Sequence, residues 1–107
     1  MLNVDWFQPY KHIQTNSIGA IYAVIMNLPR KLRFKKENLL LIGLIPNMAK
    51  EPPINTFLAP LIEELLVAWD KGFNFSVDQQ QVNIRCAMLC VGCDIPASRK
   101  LCGIKGK

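Results

Sequence analysis

Residues 82–100, VNIRCAMLCVGCDIPASRK, form an apolar run that leads into a single aspartate, Asp94, and then into a basic segment. The start of the chain repeats this pattern, because residues 1–10, MLNVDWFQPY, are mostly apolar up to Asp5 and break at Pro9. Each aspartate ends or closely follows a predicted strand, where burying a charge without a partner is costly. In α/β sheets, ligand-binding groups gather at strand ends. We therefore predict that Asp5 and Asp94 belong to one site.

Length and composition indicate one small domain. The chain has 107 residues, 50% of them hydrophobic, which is enough apolar content to bury a core. A formal net charge of +5 favours an acidic partner, with nucleic acid first. No signal-peptide pattern opens the chain, and no apolar run reaches the roughly 18 residues needed to span a bilayer, so we predict a reduced, intracellular protein. The apolar start and the GIKGK end predict a piece of something longer.

Hydrophobic patterning in the first half of the chain predicts strands. Residues 2–7 form a short apolar strand, and residues 18–28 and 39–45 are nearly continuous apolar runs with β-branched members. Such runs are typical of strands that are covered on both faces. A helix is possible over residues 18–28, but Gly19 and Pro29 bound the run and favour a buried strand. The basic residues 30–36 between the two runs are predicted to form a turn.

One amphipathic helix follows. Asn55 or Thr56 is positioned to cap its start, and Lys71 and Gly72 supply a cationic last turn and a stop. Pro60 fits this helix only in its first turn, where a missing N–H is tolerated, so the sequence leaves the start of the helix open. The apolar stripe at helical spacing consists of Phe57, Leu58, Leu61, Ile62, Leu65, Leu66 and Trp69.

The last third of the chain predicts strands and a second helix. Residues 73–77 alternate like a half-exposed strand, residues 78–81 form a hairpin turn, residues 82–93 form a long apolar strand, and residues 97–102 open a helix. The predicted order is strand-strand-strand-helix-strand-strand-helix. A crossover helix then allows the first strand and the last long strand to lie side by side.

Six of the eight acids have a simple interpretation, since they fall in turns or on the polar side of the helix. Asp5 and Asp94 differ, although Asp94 could cap the following helix and Asp5 could form an Asx turn. Two neighbouring carboxylates repel unless they share a proton or bind a hard cation such as Mg²⁺. Two such metals can stabilise the attacking and leaving oxygens of a phosphodiester. The solvated acids are Glu37, Glu51, Glu63, Glu64, Asp70 and Asp78.

Four segments together resemble the transposases of CACTA-type (En/Spm-like) DNA transposons. They are VDWFQPY, NLPRKLRFKKENLLLIGLIP, APLIEELLVAWDKG and RCAMLCVGCDIPASRKLCG. Members of that family carry D-x-F-x-P, N-L-P, L-x-G-L-I-P, P-L-x-E-E-L and D-x-P-A motifs in this order. The resemblance covers nearly the whole chain.

The resemblance implies a ribonuclease-H-like catalytic core that cuts and joins DNA with Mg²⁺ or Mn²⁺. Asp5 in DWFQP and Asp94 in DIPA match the family's first and second acids, and water and then a 3′-hydroxyl are the implied nucleophiles. Many members have Gly where Trp6 stands, and the family's third acid and C-x-x-C pair lie beyond the position of Lys107. The resemblance therefore implies that residues 1–107 are a partial catalytic domain, inactive alone, from a nuclear DNA transposase.

The four cysteines leave two interpretations. Cys90 and Cys93 have C-x-x-C spacing, and Cys86 and Cys102 could complete a zinc set. On a strand, however, Cys86 and Cys90 would share one face and Cys93 would point to the other. Small buried apolar cysteines are the favoured interpretation.

Two basic clusters are candidates for DNA contact. Residues 30–36 could contact phosphates, act as a nuclear localisation patch, or be a solvated turn. A second group, formed by Arg99, Lys100, Lys105 and Lys107, follows Asp94. His12 is expected to be an ordinary loop residue. The candidate DNA-binding residues are Arg30, Lys31, Arg33, Lys35, Lys36, Arg99 and Lys100.

The leading hypothesis is a fragment of a transposase core, with DNA as the partner of the intact protein and with neither a membrane nor a small-molecule substrate. A non-catalytic nucleic-acid-binding remnant is the first alternative. A small zinc-binding module is the second, and a degraded transposon copy without a present role is the third.

Overall fold

The chain forms a mixed α/β structure with a four-stranded sheet and a separate two-stranded sheet. The computed structural model describes residues 1–9, 17–46 and 53–103, without the side chains of Pro96 and Lys100. The elements in chain order are β1 (Leu2–Phe7), β2 (Ile18–Val24), α1 (Arg30–Arg33), a 3₁₀ turn (Lys36–Asn38), β3 (Leu39–Ile45), α2 (Ile54–Asp70), β4 (Phe73–Val77), β5 (Gln80–Ile84), β6 (Val91–Cys93) and α3 (Ile95–Leu101).

The larger sheet has the strand order β3-β2-β1-β6. The β1–β2 and β2–β3 pairs are antiparallel, whereas β6 lies parallel to β1. Parallel neighbours need a long crossover connection, and α2 lies within the connection between β3 and β6. The prediction that the first strand lies beside the last apolar strand is therefore confirmed.

The core lies between one face of this sheet and helix α2. Side chains alternate along a strand, so Leu2 and Val4 point to the same face, and Ile21 on β2 pairs directly with Val4. These three side chains and Ile45 form the buried cluster, with Val4 and Ile45 fully buried. The partly buried side chains that pack against the cluster are Trp6, Ile54, Phe57, Leu58, Leu61 and Leu101.

Strand β3 does not have two covered faces. Leu40, Leu41 and Leu44 are 50%, 67% and 53% exposed, so the prediction of a strand buried on both sides is wrong for β3. Among the described residues it is an edge strand, paired with β2 alone. A β-bulge between Ile21 and Tyr22 of β2 shifts the register of that pair.

The basic segment between β2 and β3 is helical rather than a simple turn. Helix α1 follows Pro29, and the 3₁₀ turn follows Lys35. The Arg33 side chain donates its Nε–H to the carbonyl of Leu28 at 2.7 Å. The Asn38 side chain donates to the carbonyl of Leu32 at 2.9 Å. These bonds stabilise two short helical turns.

Helix α2 begins earlier than predicted. Pro53 is its N-cap, no side chain caps it, and the predicted caps Asn55 and Thr56 lie inside the helix. Pro60 also lies inside, where it lacks the N–H for a bond to the carbonyl of Thr56. The predicted stop at Gly72 is confirmed, since Gly72 has a φ of 72° and donates its N–H to the carbonyl of Val67 at 3.0 Å. The predicted cationic last turn is wrong, because Lys71 is the C-cap and the last turn of α2 holds no basic residue.

Strands β4 and β5 form the predicted hairpin. Val77 pairs with Gln80, which leaves a two-residue turn at Asp78 and Gln79. Both turn residues have positive φ angles, 47° and 64°, as a type I′ turn requires.

The long strand predicted over residues 82–93 is wrong, because β5 ends at Ile84 and β6 begins at Val91. The intervening segment is held at two places. Cys86 donates its backbone N–H to the carbonyl of Ala68 in α2 at 3.1 Å, and the carbonyl of Cys90 accepts from Leu2 at 3.0 Å. The chain therefore passes α2 before it joins the larger sheet.

Helix α3 confirms the second predicted helix, although it begins two residues before the expected start. Within the described ranges, every helix is too short or too polar to cross a bilayer.

Candidate metal centre

The parallel register of β1 and β6 brings the two predicted aspartates to the same end of the sheet. Asn3 pairs with Gly92 and Val4 pairs with Cys93. Asp5 and Asp94 are the next residues on the two chains. Since neighbouring strands lie about 4.8 Å apart, these two backbones run side by side.

Cys93 lies near both carboxylates. Partial burial raises the pKa of the Cys93 thiol, and the nearby charges of Asp94, Cys102 and Asp5 raise it further. Both aspartate charges therefore act on one side chain at the end of β6.

Asp5 is held by a tyrosine from the neighbouring strand. The Tyr22 hydroxyl donates to Oδ2 of Asp5 at 2.7 Å. Asp5 pairs directly with Ala20 and Tyr22 pairs with Asn3, so this hydrogen bond runs diagonally on one face of the sheet. The bond, partial burial and the negative charge of Asp5 together raise the pKa of Tyr22 to about 12. Since Asp5 lies within β1, the Asx-turn interpretation is wrong.

Asp94 is held by the helix that follows it. Its Oδ1 accepts the backbone N–H of Ala97 at 2.8 Å, which confirms that Asp94 caps α3. Ala97 is fully buried and Leu101 packs against the core, so α3 has a fixed position. A carboxylate has two oxygens and about four lone-pair sites, so one capping bond is compatible with binding a cation.

Gly92 and Asn3 allow the close approach of β1 and β6. A Cβ at Gly92 would lie 2.6 Å from Oδ1 of Asn3, a distance that real Cβ atoms essentially never show. Asn3 is buried, and its Nδ2 has no hydrogen-bond partner among the described residues. A larger residue at position 92 would require the Asn3 side chain, or the strand that leads to Asp94, to shift.

Sequence reasoning missed Tyr22, Asn3 and Gly92. The tyrosine is the one residue with a polar tip in the run IGAIYAVIM, residues 18–26, and that isolated hydroxyl was a usable signal. Gly92 lies inside a predicted strand, where a glycine often marks a close backbone approach. No sequence signal indicates which residue approaches it.

The donor chemistry at Asp5 and Asp94 fits a hard divalent cation. Mg²⁺ is commonly bound through one or two carboxylates together with water and substrate phosphates. The structurally described ranges contain no group of three or more His, Cys, Asp or Glu side chains that could hold a metal. A two-carboxylate site at Asp5 and Asp94 therefore stays a prediction.

The cysteines do not assemble as a zinc site within the described part of the chain. All four are free thiols, and three of them, Cys86, Cys90 and Cys102, are exposed. The prediction that the cysteines are buried is wrong for these three. Cys86 and Cys90 lie outside the strands, so the expectation that they share one face of a strand is also wrong.

The candidate DNA-binding residues lie in two different places. Residues 30–36 lie between Val24 and Leu39, which pair with each other at the end of β2, four residues from Ala20, the partner of Asp5. Arg99 is exposed on α3, the helix that begins directly after Asp94. Four cations of the first cluster are exposed, whereas Arg33 is half-buried and bonded to Leu28. The exposed four are Arg30, Lys31, Lys35 and Lys36.

Some predicted residues lie outside the described part of the chain. They are His12, Glu51, Lys105 and Lys107, together with the side chain of Lys100.

Comparison with known proteins gives one result. No curated protein and no solved structure matches the chain significantly. The family model described as "Transposase family tnp2" matches residues 1–107. The chain therefore belongs to the transposase family tnp2.

Proposed function

We propose that residues 1–107 are part of the catalytic core of a CACTA-type (En/Spm-like) DNA transposase with a ribonuclease-H-like fold. Membership of the transposase family supports this proposal. The strand order β3-β2-β1-β6, with two antiparallel pairs and one parallel pair, is the order that this fold requires.

The observation that carries the proposal is the β1–β6 register. It pairs Val4 with Cys93, the residues directly before Asp5 and Asp94, although the two acids lie near opposite ends of the chain. The resemblance to the CACTA-type transposases assigns the first two catalytic acids to these same positions. Geometry and motif therefore favour the same pair.

In this proposal, Asp5 and Asp94 hold Mg²⁺ or Mn²⁺, and a third carboxylate comes from the intact transposase. When bound, the cation supplies Lewis-acid stabilisation of phosphodiester oxygens. The chain's own contribution is to position the ligands: the Tyr22 hydroxyl fixes Asp5, and the Ala97 N–H fixes Asp94.

DNA is the proposed partner of the intact transposase, and the nucleus is its proposed location. Arg99 is the described cation that lies closest in sequence to the acids, and it is exposed for phosphate contact. The exposed cations of residues 30–36 lie in the segment between β2 and β3, where they can contact a further part of a duplex.

A direct test is Mn²⁺ binding to the 107-residue chain, measured by electron paramagnetic resonance. Asp5→Asn and Asp94→Asn are each expected to abolish specific binding, because each removes a charged ligand. Glu37→Gln is the matched control, since Glu37 is exposed in the 3₁₀ turn and is expected to leave binding unchanged.

The same variants test catalysis in a longer transposase that supplies the third acid. Mg²⁺-dependent DNA cleavage is expected to disappear in Asp5→Asn and in Asp94→Asn and to persist in Glu37→Gln. Cleavage that survives in both aspartate variants would show that the acids have no catalytic role.

A non-catalytic nucleic-acid-binding role is the second candidate, and the exposed cations of residues 30–36 favour it. It predicts DNA binding that is independent of Mg²⁺ and falls steeply with salt. Replacing Arg30, Lys31, Lys35 and Lys36 by Gln is then expected to abolish DNA binding, whereas Asp5→Asn leaves it unchanged.

A further inference from the structure

We infer that Tyr22 is a positioning residue for Asp5, an inference that rests on the proposed metal site. The Tyr22 hydroxyl donates to Oδ2 of Asp5 at 2.7 Å, the usual length of an O–H···O hydrogen bond. Neither the family assignment nor the motifs point to this tyrosine.

The position of the hydroxyl is fixed by the centre of the sheet. Tyr22 lies on β2, which pairs with β1 on one side and with β3 on the other. Its backbone pairs with Asn3 and Leu41, so neighbours on both sides hold it in place. A group carried by a rigid strand holds a ligand more precisely than one carried by a loop.

The direct cross-strand partner of Asp5 does not perform this role. That partner is Ala20, whose methyl side chain has no polar atom. The small Ala20 leaves the face open for the diagonal approach of Tyr22. The orientation of the Asp5 carboxylate therefore depends on the Tyr22 hydroxyl.

The two proposed ligands are held in equivalent ways. A backbone N–H of α3 fixes one oxygen of Asp94, and the Tyr22 hydroxyl fixes one oxygen of Asp5. Groups that orient metal ligands in this way typically raise metal affinity 10-fold to 100-fold. Tyr22 is thus expected to act on cation affinity without touching the cation.

The test is an Mn²⁺ titration of the 107-residue chain by electron paramagnetic resonance. Tyr22→Phe keeps the ring and removes the hydroxyl, and we expect the Mn²⁺ Kd to rise about 10-fold. Ser76→Ala is the matched control, because it removes an exposed hydroxyl from β4 and is expected to leave the Kd unchanged. Circular dichroism and the unfolding temperature are measured for both variants.

The outcomes separate this inference from the proposed function. An unchanged Kd in Tyr22→Phe, with binding lost in Asp5→Asn and Asp94→Asn, overturns the role of Tyr22 alone. A purely structural Tyr22 would lower the unfolding temperature and leave the Kd of the folded chain unchanged. The absence of specific Mn²⁺ binding in the unsubstituted chain overturns both ideas.

A second measurement tests the inference in case Tyr22→Phe does not fold. Fluorotyrosine is incorporated into a Tyr10→Phe chain, so that Tyr22 is the only tyrosine. Its ¹⁹F resonance is expected to move on addition of Mg²⁺ and to stay fixed when Asp5→Asn is also present. If the ¹⁹F resonance does not move on addition of Mg²⁺ in the Tyr10→Phe chain that retains Asp5, the inference is overturned.

Discussion

At the scale of single residues, the candidate site depends on partners that orient two acids. Asp5 is held across strands by Tyr22, and Asp94 is held along the chain by the N–H of Ala97. The family resemblance identified the acids but not their partners. Many similar transposases have Gly where Trp6 stands. The Trp6 ring lies so close to Gly19 that a Cβ added at Gly19 would be 3.0 Å from the ring.

Replacing Asp5 is expected to change the ionisation of Tyr22. The Asp5 hydrogen bond is the main cause that raises the pKa of Tyr22 to about 12, so Asp5→Asn should lower it toward the ordinary value of 10.0. Tyrosinate absorbance in a Tyr10→Phe background measures this pKa. Asp78→Asn, in the hairpin turn, is the control and should leave it unchanged.

The same bond makes stability depend on alkaline pH. A tyrosine pKa that is raised on folding contributes stability that is fully present below pH 10.0, its unfolded value, and lost as the pH rises through about 12. The stability advantage of the unsubstituted chain over Tyr22→Phe should therefore shrink across this window in urea unfolding. A constant difference would contradict the hydrogen bond.

Cys93 is expected to be the slowest of the four cysteines to alkylate at neutral pH. Partial burial and the charges of Asp94, Cys102 and Asp5 raise its thiol pKa, which lowers the thiolate fraction that reacts. Asp94→Asn removes one of these charges, while asparagine still caps a helix. Peptide-resolved alkylation should therefore show faster reaction at Cys93 in Asp94→Asn, with Cys86 as the internal reference.

At the scale of the elements, hydrophobic patterning predicted β1, β2, β3, α2, the hairpin and α3. It failed where tertiary contacts override local pattern. Nothing in RCAMLC, residues 85–90, signals a break, since the segment has neither glycine nor proline. The backbone bond from Cys86 to Ala68 draws the chain away from a continuous strand. The α1 turn was missed because its basic composition resembles that of a solvated loop.

The β1–β6 pair is expected to depend on the glycine at position 92. Gly92→Ala places a Cβ 2.6 Å from Oδ1 of Asn3, and overpacking of this kind costs about 1–3 kcal/mol in the free energy of unfolding. Gly43→Ala is the matched control, because its Cβ would meet nothing within 4 Å. Urea unfolding compares the two, and equal stabilities would show that β6 is not tightly packed against β1.

At the scale of the whole molecule, the sheet is covered unevenly. Helix α2 packs on one face, while β3 and the β4–β5 hairpin leave large apolar side chains in water. The sequence predicted an apolar core but not which strand would remain uncovered, because that depends on where α2 packs. Exposed apolar patches and unpaired sheet edges promote association.

Reducing the apolar surface of β3 is expected to limit aggregation. Leu41 is 67% exposed, so Leu41→Lys should lower light scattering while changing the free energy of unfolding by less than about 0.5 kcal/mol. Ile45→Lys is the contrasting variant, since Ile45 is fully buried and a lysine there should unfold the domain. Equal scattering by Leu41→Lys and the unsubstituted chain would exclude this surface as the cause of aggregation.

We propose that Asp5 and Asp94 bind one divalent cation together, and a Mg²⁺ titration of the side-chain carboxyl ¹³C resonances measures this directly. We expect the Asp5 and Asp94 resonances to shift together with a single Kd, while those of Asp70 and Asp78 stay fixed. Independent shifts with different Kd values, or no shift of either resonance, would contradict it.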